Sequence, residues 1–175
     1  MNYLGIEYNI KNMPVLDPNF IPFGVWANAY LEGAEKPFKI AVERENSYIS
    51  VFETKLRGVE FAEANYRYAE RLVKMLLWTV GGFRVYLCGD DEIASRIQAD
   101  YTETGNRSFD VGFMQNVYER PFEIVITNEA QFPQAREQTR KIGGHMNGCR
   151  IGVDAGGSDR RDLSVRTTRI EANAA

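Results

Sequence analysis

One short segment late in the sequence combines residue types that could bind phosphate together with a metal ion. It reads DAGGS from Asp154 to Ser158. Adjacent glycines let the backbone approach a bulky anion closely, and successive backbone N–H groups then form an anion-binding concavity. A serine hydroxyl adds a donor, and an aspartate at a strand end can orient a hydrated Mg²⁺ ion. The predicted phosphate-binding residues are Asp154, Gly156, Gly157 and Ser158, with Asp154 as the metal contact.

Spacing alone leaves a second interpretation of this segment open. Asp-x-Gly-Gly-Ser also occurs in ordinary β-turns, where glycine only supplies unusual backbone angles. It is not a Walker phosphate loop, because no Gly-Lys-Ser or Gly-Lys-Thr follows. The apolar run from Cys149 to Val153 predicts a strand directly before the segment. After it, Leu163, Val165 and Ile170 are too sparse to predict another strand, so residues 161–175 are expected to form an atypical, disordered tail.

The segment also resembles a known family. DAGGS after an apolar strand is similar to the first phosphate motif of the actin-like ATPase superfamily, written D-x-G-G-T in its ROK branch (repressor, open reading frame, kinase). The longer string GGHMNGCRIGVDAGGSDR resembles bacterial ROK proteins that carry a long N-terminal extension. LGIEYNIKNMPVLDPNF, YAERLVKMLLW and FMQNVYERPFEIVIT extend the resemblance over nearly the whole chain.

The resemblance implies a specific chemistry. ROK-type sugar kinases transfer the γ-phosphate of ATP to a sugar hydroxyl with Mg²⁺ and a catalytic aspartate, and their first phosphate loop joins two strands of a hairpin. ATP and Mg²⁺ are therefore the implied cofactors, with Asp154 near the metal and Gly156, Gly157 and Ser158 around phosphate. Nucleotide and sugar are the implied partners of the complete protein, together with the remaining kinase lobes or a second subunit.

Several parts of the family's site have no counterpart in these 175 residues. They are the catalytic aspartate, the adenosine motif, the second phosphate motif and the cysteine-rich zinc site. His145 and Cys149 cannot replace the last, since a structural zinc needs four ligands. We expect an N-terminal fragment of a glucokinase-like protein, inactive alone, with no catalytic residue and no zinc site. The alternative is a non-catalytic accessory or interaction domain of a ROK-type regulator.

Composition limits the remaining classes of function. A net charge of −3 offers no basic excess to neutralise nucleic acid, so a nucleic-acid partner is not expected. The N-terminus lacks the pattern of a signal peptide, and no apolar run is long enough to span a bilayer. Cys88 and Cys149 have no metal-type spacing and are expected to be buried free thiols. These features favour a cytoplasmic protein without a membrane partner.

The elements that would position the segment indicate an α/β fold, with α+β still open. We expect a mixed sheet with a β-hairpin and packed helices, ending in the first strand and glycine-rich turn of an actin-like ATPase fold. Residues 1–142 would form an α/β extension domain, and 143–160 would begin the ATPase domain. The predicted strands are Phe38–Arg44, Tyr48–Thr54, Phe83–Cys88 and Phe122–Thr127, and the predicted helices are Ala27–Gly33, Phe61–Thr79, Asp91–Ala99 and Phe109–Tyr118.

Three finer expectations concern side chains. Residues 1–36 would form an extended arm whose apolar groups pack across the domain. Helix 61–79 would direct an apolar stripe inward and place its charged residues, including Arg67, Glu70 and Arg71, largely on its other faces. Asp90 would cap the helix that follows it, and the helix at 109–118 would carry its apolar residues inward: Phe113, Met114 and Val117.

Overall fold

The computed structural model describes residues 1–12, 15–137, 149–155 and 160–166, with side chains up to residue 137. Its contacts divide the chain into two units, Met1–Gln138 and Thr139–Ala175. The helices and strands, in chain order, are β1 (Asn2–Tyr3), β2 (Ile6–Glu7), α1 (Phe23–Leu31), β3 (Lys36–Glu43), β4 (Ile49–Leu56), α2 (Ala62–Thr79), β5 (Arg84–Cys88), α3 (Asp91–Asp100), α4 (Ser108–Tyr118), β6 (Glu123–Ile126), β7 (Cys149–Ala155) and β8 (Arg160–Arg166). Short 3-10 helices cover Glu45–Ser47 and Val59–Phe61.

The main sheet of the first unit is mixed and has the strand order β4-β3-β5-β6. The β3–β4 hairpin is antiparallel from Lys36↔Leu56 to Glu43↔Ile49, as predicted. Strand β5 runs antiparallel to β3 but parallel to β6, and the parallel pair is joined through α3 and α4. A parallel pair needs such a long crossover connection. The predicted α/β class is therefore confirmed, whereas an actin-like ATPase fold stays a prediction.

The core lies on one face of this sheet. Residues two apart on a strand share a face, and register places Ile40 opposite Leu87 and Val42 opposite Val85. All of these side chains are buried. Helix α2 contributes the stripe predicted from its three- and four-residue spacing, which includes Ala69, Leu72, Val73, Leu76 and Leu77. Burying a leucine-sized side chain is worth about 1.5–3 kcal/mol, so this stripe holds the helix in place.

Two expectations about helix faces are only partly right: Met114 of α4 is buried as predicted, and the charged residues of α2 other than Glu70 lie off its buried stripe. Phe113 and Val117 of α4 are 41% and 55% exposed, and Asp110 lies inside instead, at 2% exposure. Glu70 of α2 is also 2% exposed, because its carboxylate accepts a hydrogen bond of 2.5 Å from Arg107. In both cases a charged partner from a distant segment compensates the desolvation of a carboxylate. Local periodicity contains no information about such partners.

The N-terminal segment packs less completely than expected. Val15 and Leu16 are exposed, and Phe20 is half exposed. Helix α1 begins at Phe23, directly after Pro22, rather than at Ala27. Ile6 and Tyr8 are buried in the core, and the segment returns to the core in α1, where Trp26 is fully buried.

The second unit contains a hairpin in which β7 and β8 pair antiparallel from Cys149↔Arg166 to Ala155↔Arg160. The strand β7 was predicted, but the strandless tail expected over residues 161–175 is wrong for residues 161–166. Leu163 and Val165 alternate with polar residues there, and backbone pairing with β7 needs no continuous apolar run. Across the described parts of the chain, no helix is both long and apolar enough to cross a membrane.

Candidate functional site

The predicted phosphate site begins in β7 and continues into the residues that connect β7 to β8. Asp154 lies in β7 opposite Arg161, and the next pair, Ala155↔Arg160, is the last before the turn. Gly156, Gly157 and Ser158 lie outside the described residues, as does His145. Asp154 therefore stands at the end of a strand, next to a connection whose sequence is Gly-Gly-Ser-Asp. That position suits a carboxylate that orients a metal ion beside phosphate.

A second candidate site lies in the first unit and is a pocket of about 420 Å³. This volume falls in the range of about 300–1,000 Å³ that is typical of small-molecule sites. Its apolar residues come from the N-terminal segment, α1 and α2: Tyr3, Phe20, Ile21, Phe23, Trp26, Met75 and Trp78. Its charged residues all come from α2: Arg67, Arg71 and Lys74. We call this site the aromatic pocket.

Tertiary contacts hold one wall of the aromatic pocket in place. The indole N–H of Trp26 donates to the backbone oxygen of Tyr3 at 3.0 Å. The Tyr3 ring meets the Trp26 ring edge-on with centroids 5.9 Å apart, and Phe23 lies 5.8 Å away on the same indole. Edge-on and tilted arrangements at these distances are the favourable ones for aromatic rings. These contacts join the three aromatic side chains into one wall of the pocket.

The buried carboxylate of Asp110 fixes the opposite wall. It accepts a hydrogen bond from the Trp78 indole at 2.7 Å and another from the Lys74 ammonium group at 3.2 Å. The Trp78 ring also stacks on Phe113 with centroids 4.8 Å apart. Charge-assisted hydrogen bonds are stronger than neutral ones, so Asp110 orients both groups. This interaction explains why an aspartate is buried in α4.

The two arginines of the aromatic pocket differ from the other partly buried arginines in the described residues. Partly buried arginines elsewhere have a hydrogen-bond, ion-pair or ring partner: Arg44, Arg57, Arg84, Arg96 and Arg107. Within residues 1–12 and 15–137, neither Arg67 nor Arg71 contacts a hydrogen-bond acceptor, carboxylate or ring. Because Lys74 is engaged by Asp110, these two guanidinium groups supply the uncompensated positive charge of the pocket.

The turn at Gly89 and Asp90 is a capped helix end and not an anion site. The Asp90 carboxylate accepts from the Ile93 N–H at 3.0 Å and pairs with Lys36 at 2.8 Å, which confirms the predicted N-cap. Burial works to raise the pKa of Asp90, but the hydrogen bonds from Ile93 and Lys36 outweigh it and hold that pKa below its usual range. A carboxylate already occupies the position that phosphate would need.

A polar cluster between α2, α3 and the following turn is structural. Asp100 accepts from the Tyr66 hydroxyl and, at 2.6 Å, from the Asn106 amide. Burial and the neighbouring Asp100 carboxylate raise the pKa of Tyr66 to about 12, so the phenol stays protonated. No group of three or more metal-ligating side chains occurs in the described ranges. Cys88 is a buried free thiol, as predicted, and burial raises its pKa.

Neither a protein-family model, a curated protein nor a solved structure matches the chain.

Sequence reasoning predicted the strand β7 that leads to Asp154 but missed the aromatic pocket. The available signal was the spacing of Arg67, Arg71, Lys74 and Trp78, which are four, three and four residues apart and therefore share one face of α2. A charged stripe of this kind is usually solvated, and the apolar partners of this one lie more than forty residues earlier in the chain.

Proposed function

We propose that the chain is the N-terminal part of a cytoplasmic, ROK-type, glucokinase-like protein, and that its turn at 154–158 binds the terminal phosphates of Mg²⁺–ATP. The observation that supports this proposal is the β7–β8 hairpin, in which DAGGS begins at the end of one strand and the chain returns as the next. The first phosphate loop of ROK proteins joins two strands in the same way. An ordinary β-turn would explain the same residues without a ligand, and the binding measurement below separates the two interpretations.

Each residue of the turn would have a separate task. The backbone N–H groups of Gly156 and Gly157 and the Ser158 hydroxyl would donate to phosphate oxygens. Asp154 would hold a water of the hydrated Mg²⁺, which keeps several of its waters when protein-bound. Phosphoryl transfer depends mainly on positioning and charge neutralisation. Since these residues include no counterpart of the family's catalytic aspartate, we expect the chain to bind nucleotide without phosphorylating a sugar.

Isothermal titration with Mg²⁺–ATP tests this function. We expect micromolar binding that Gly157→Val and Asp154→Asn abolish, because the first blocks the approach of phosphate and the second removes the charge that orients the metal. Gly112→Val is a suitable control, since an added Cβ at this helical glycine meets no atom within 4 Å. The absence of binding to a cooperatively folded sample would contradict the proposal, and so would equal binding by wild type and Gly157→Val.

The second candidate function is a non-catalytic accessory domain formed by residues 1–138, which binds a ligand and transforms none. The aromatic pocket favours it, because a shaped apolar cavity beside two unpaired arginines is a binding site that needs no reaction to explain it. This function uses residues separate from those of the turn. Titrating the pocket with the ligands argued below therefore tests it independently of nucleotide binding.

A further inference from the structure

We propose that the aromatic pocket binds a small molecule that combines an apolar aromatic ring with one carboxylate group. The proposal rests on the accessory-domain function and not on nucleotide binding. The ring would lie among Phe20, Phe23 and Trp78, which keep accessible surface, and the carboxylate would lie against Arg67 and Arg71.

The walls of the pocket select an apolar ring. Seven of its ten lining residues are aromatic or aliphatic, and five of these seven are aromatic. Offset and edge-on contacts between rings contribute beyond the area that they bury. A nucleoside is a poor occupant, because its ribose hydroxyls and base edges would meet few hydrogen-bond partners among these side chains.

The two arginines select the acidic group. A guanidinium group presents a planar fork of N–H donors that matches the two oxygens of a carboxylate. Arg67 and Arg71 are four residues apart on α2, so they project from adjacent turns of one helix face. Other partly buried arginines of the first unit, such as Arg84, Arg96 and Arg107, form salt bridges with glutamates. Arg67 and Arg71 have no such partner among the described residues and can therefore pair with a bound anion.

Charge also argues against a second copy of the chain as the occupant. A two-fold dimer through this face would bring Arg67, Arg71 and Lys74 of one protomer towards the same residues of the other. Like charges brought together in this way are destabilising. The cavity volume and the charge therefore both favour a small anion.

The test compares 2-naphthoate with its neutral amide, 2-naphthamide, by isothermal titration at neutral pH and low salt. The two probes share the ring and differ in charge. We expect naphthoate to bind about tenfold more tightly than naphthamide, because charge-assisted hydrogen bonds are worth more than neutral ones. In an Arg67→Gln/Arg71→Gln variant, the affinity for naphthoate should fall to that for the amide. Glutamine keeps good helix propensity, so this variant should fold.

Lys55→Gln is the matched control for Arg71→Gln, because Lys55 is exposed on β4 outside the pocket and its replacement removes the same charge. Naphthoate affinity should fall several-fold in Arg71→Gln and stay unchanged in Lys55→Gln. Equal affinity for acid and amide would overturn the proposal, since it would leave only apolar adsorption. Equal weakening by both variants, or the absence of binding by either probe, would overturn it as well. None of these outcomes depends on whether Mg²⁺–ATP binds.

A second readout comes from the protein itself. The chain contains two tryptophans, Trp26 and Trp78, and both line the aromatic pocket. We expect 4-iodobenzoate, whose heavy atom quenches fluorescence on contact, to quench the emission of Trp78, the accessible one of the two, saturably in wild type. Quenching that rises linearly without saturation would show random collision and would contradict a defined site.

Discussion

The turn at 154–158 and the aromatic pocket differ in how many parts of the chain build them. The turn is one continuous stretch between two paired strands, and its proposed chemistry depends on backbone N–H groups and a few side chains. The pocket combines residues from the N-terminal segment, α1 and α2, and Asp110 of α4 holds two of them, Lys74 and Trp78. A site built from one continuous stretch can be predicted from sequence and depends little on packing. A site built from several segments cannot be predicted in this way and depends on the whole core. Substitutions can test this difference.

The largest expected effect on stability comes from the wall of the aromatic pocket that also belongs to the hydrophobic core. Trp26→Ala removes a fully buried indole, and substitutions of this kind cost about 3–5 kcal/mol of unfolding free energy. Phe20→Ala, on the exposed side of the same pocket, should cost less than about 1 kcal/mol. Urea unfolding followed by circular dichroism measures both values. If the two substitutions had equal cost, the pocket would not be continuous with the core.

An intermediate effect is expected at Asp110. Asp110→Ala leaves the Trp78 indole N–H and the Lys74 ammonium group without their shared acceptor, which should cost about 2 kcal/mol. Glu103→Ala is the control, since Glu103 is exposed and should change stability by less than about 0.5 kcal/mol. Urea midpoints of the two variants give the comparison. A difference smaller than the error of the midpoints would show that Asp110 does not fix this wall.

The smallest effect is expected at the capped turn, which contrasts with the proposed phosphate turn. Asp90→Ala should cost about 1 kcal/mol near neutral pH, because it removes the N-cap of α3. The pKa of Asp90 is lowered in the folded state, so its stabilisation is complete above the carboxyl pKa of the unfolded chain, about 4. It is lost as pH falls through the lower folded-state pKa. Wild type and variant should therefore converge in acid, and a constant difference would contradict this assignment.

The local parts of the fold followed from the sequence. The apolar stripe of α2, the hairpin of β3 and β4, and the Asp90 cap each depend on residues of one element or of two consecutive elements, and all three are confirmed. The strand β8 was missed because Leu163 and Val165 are few, although their alternation fits a strand. Its partner β7 supplies the pairing that composition alone does not indicate.

The buried carboxylates and the aromatic pocket could not be predicted in this way. Glu70 is buried because Arg107 reaches it, and Asp110 is buried because Trp78 and Lys74 reach it. These partners lie more than thirty residues away in sequence. The pocket has the same origin, since Tyr3 and Trp26 meet α2 only in the folded chain. Hydrophobic periodicity describes one element at a time and cannot identify contacts of this range.

The most direct test of two separate sites is a ¹⁵N–¹H correlation spectrum of the chain titrated with each ligand in turn. Each site takes its residues from a single unit, so the two ligands should shift separate sets of signals. Mg²⁺–ATP should shift the backbone amide signals of residues 156–158, and 2-naphthoate should shift the indole N–H signals of Trp26 and Trp78. If Mg²⁺–ATP left the signals of residues 156–158 unchanged, or shifted only the indole signals, the assignment of phosphate binding to the DAGGS turn would be wrong.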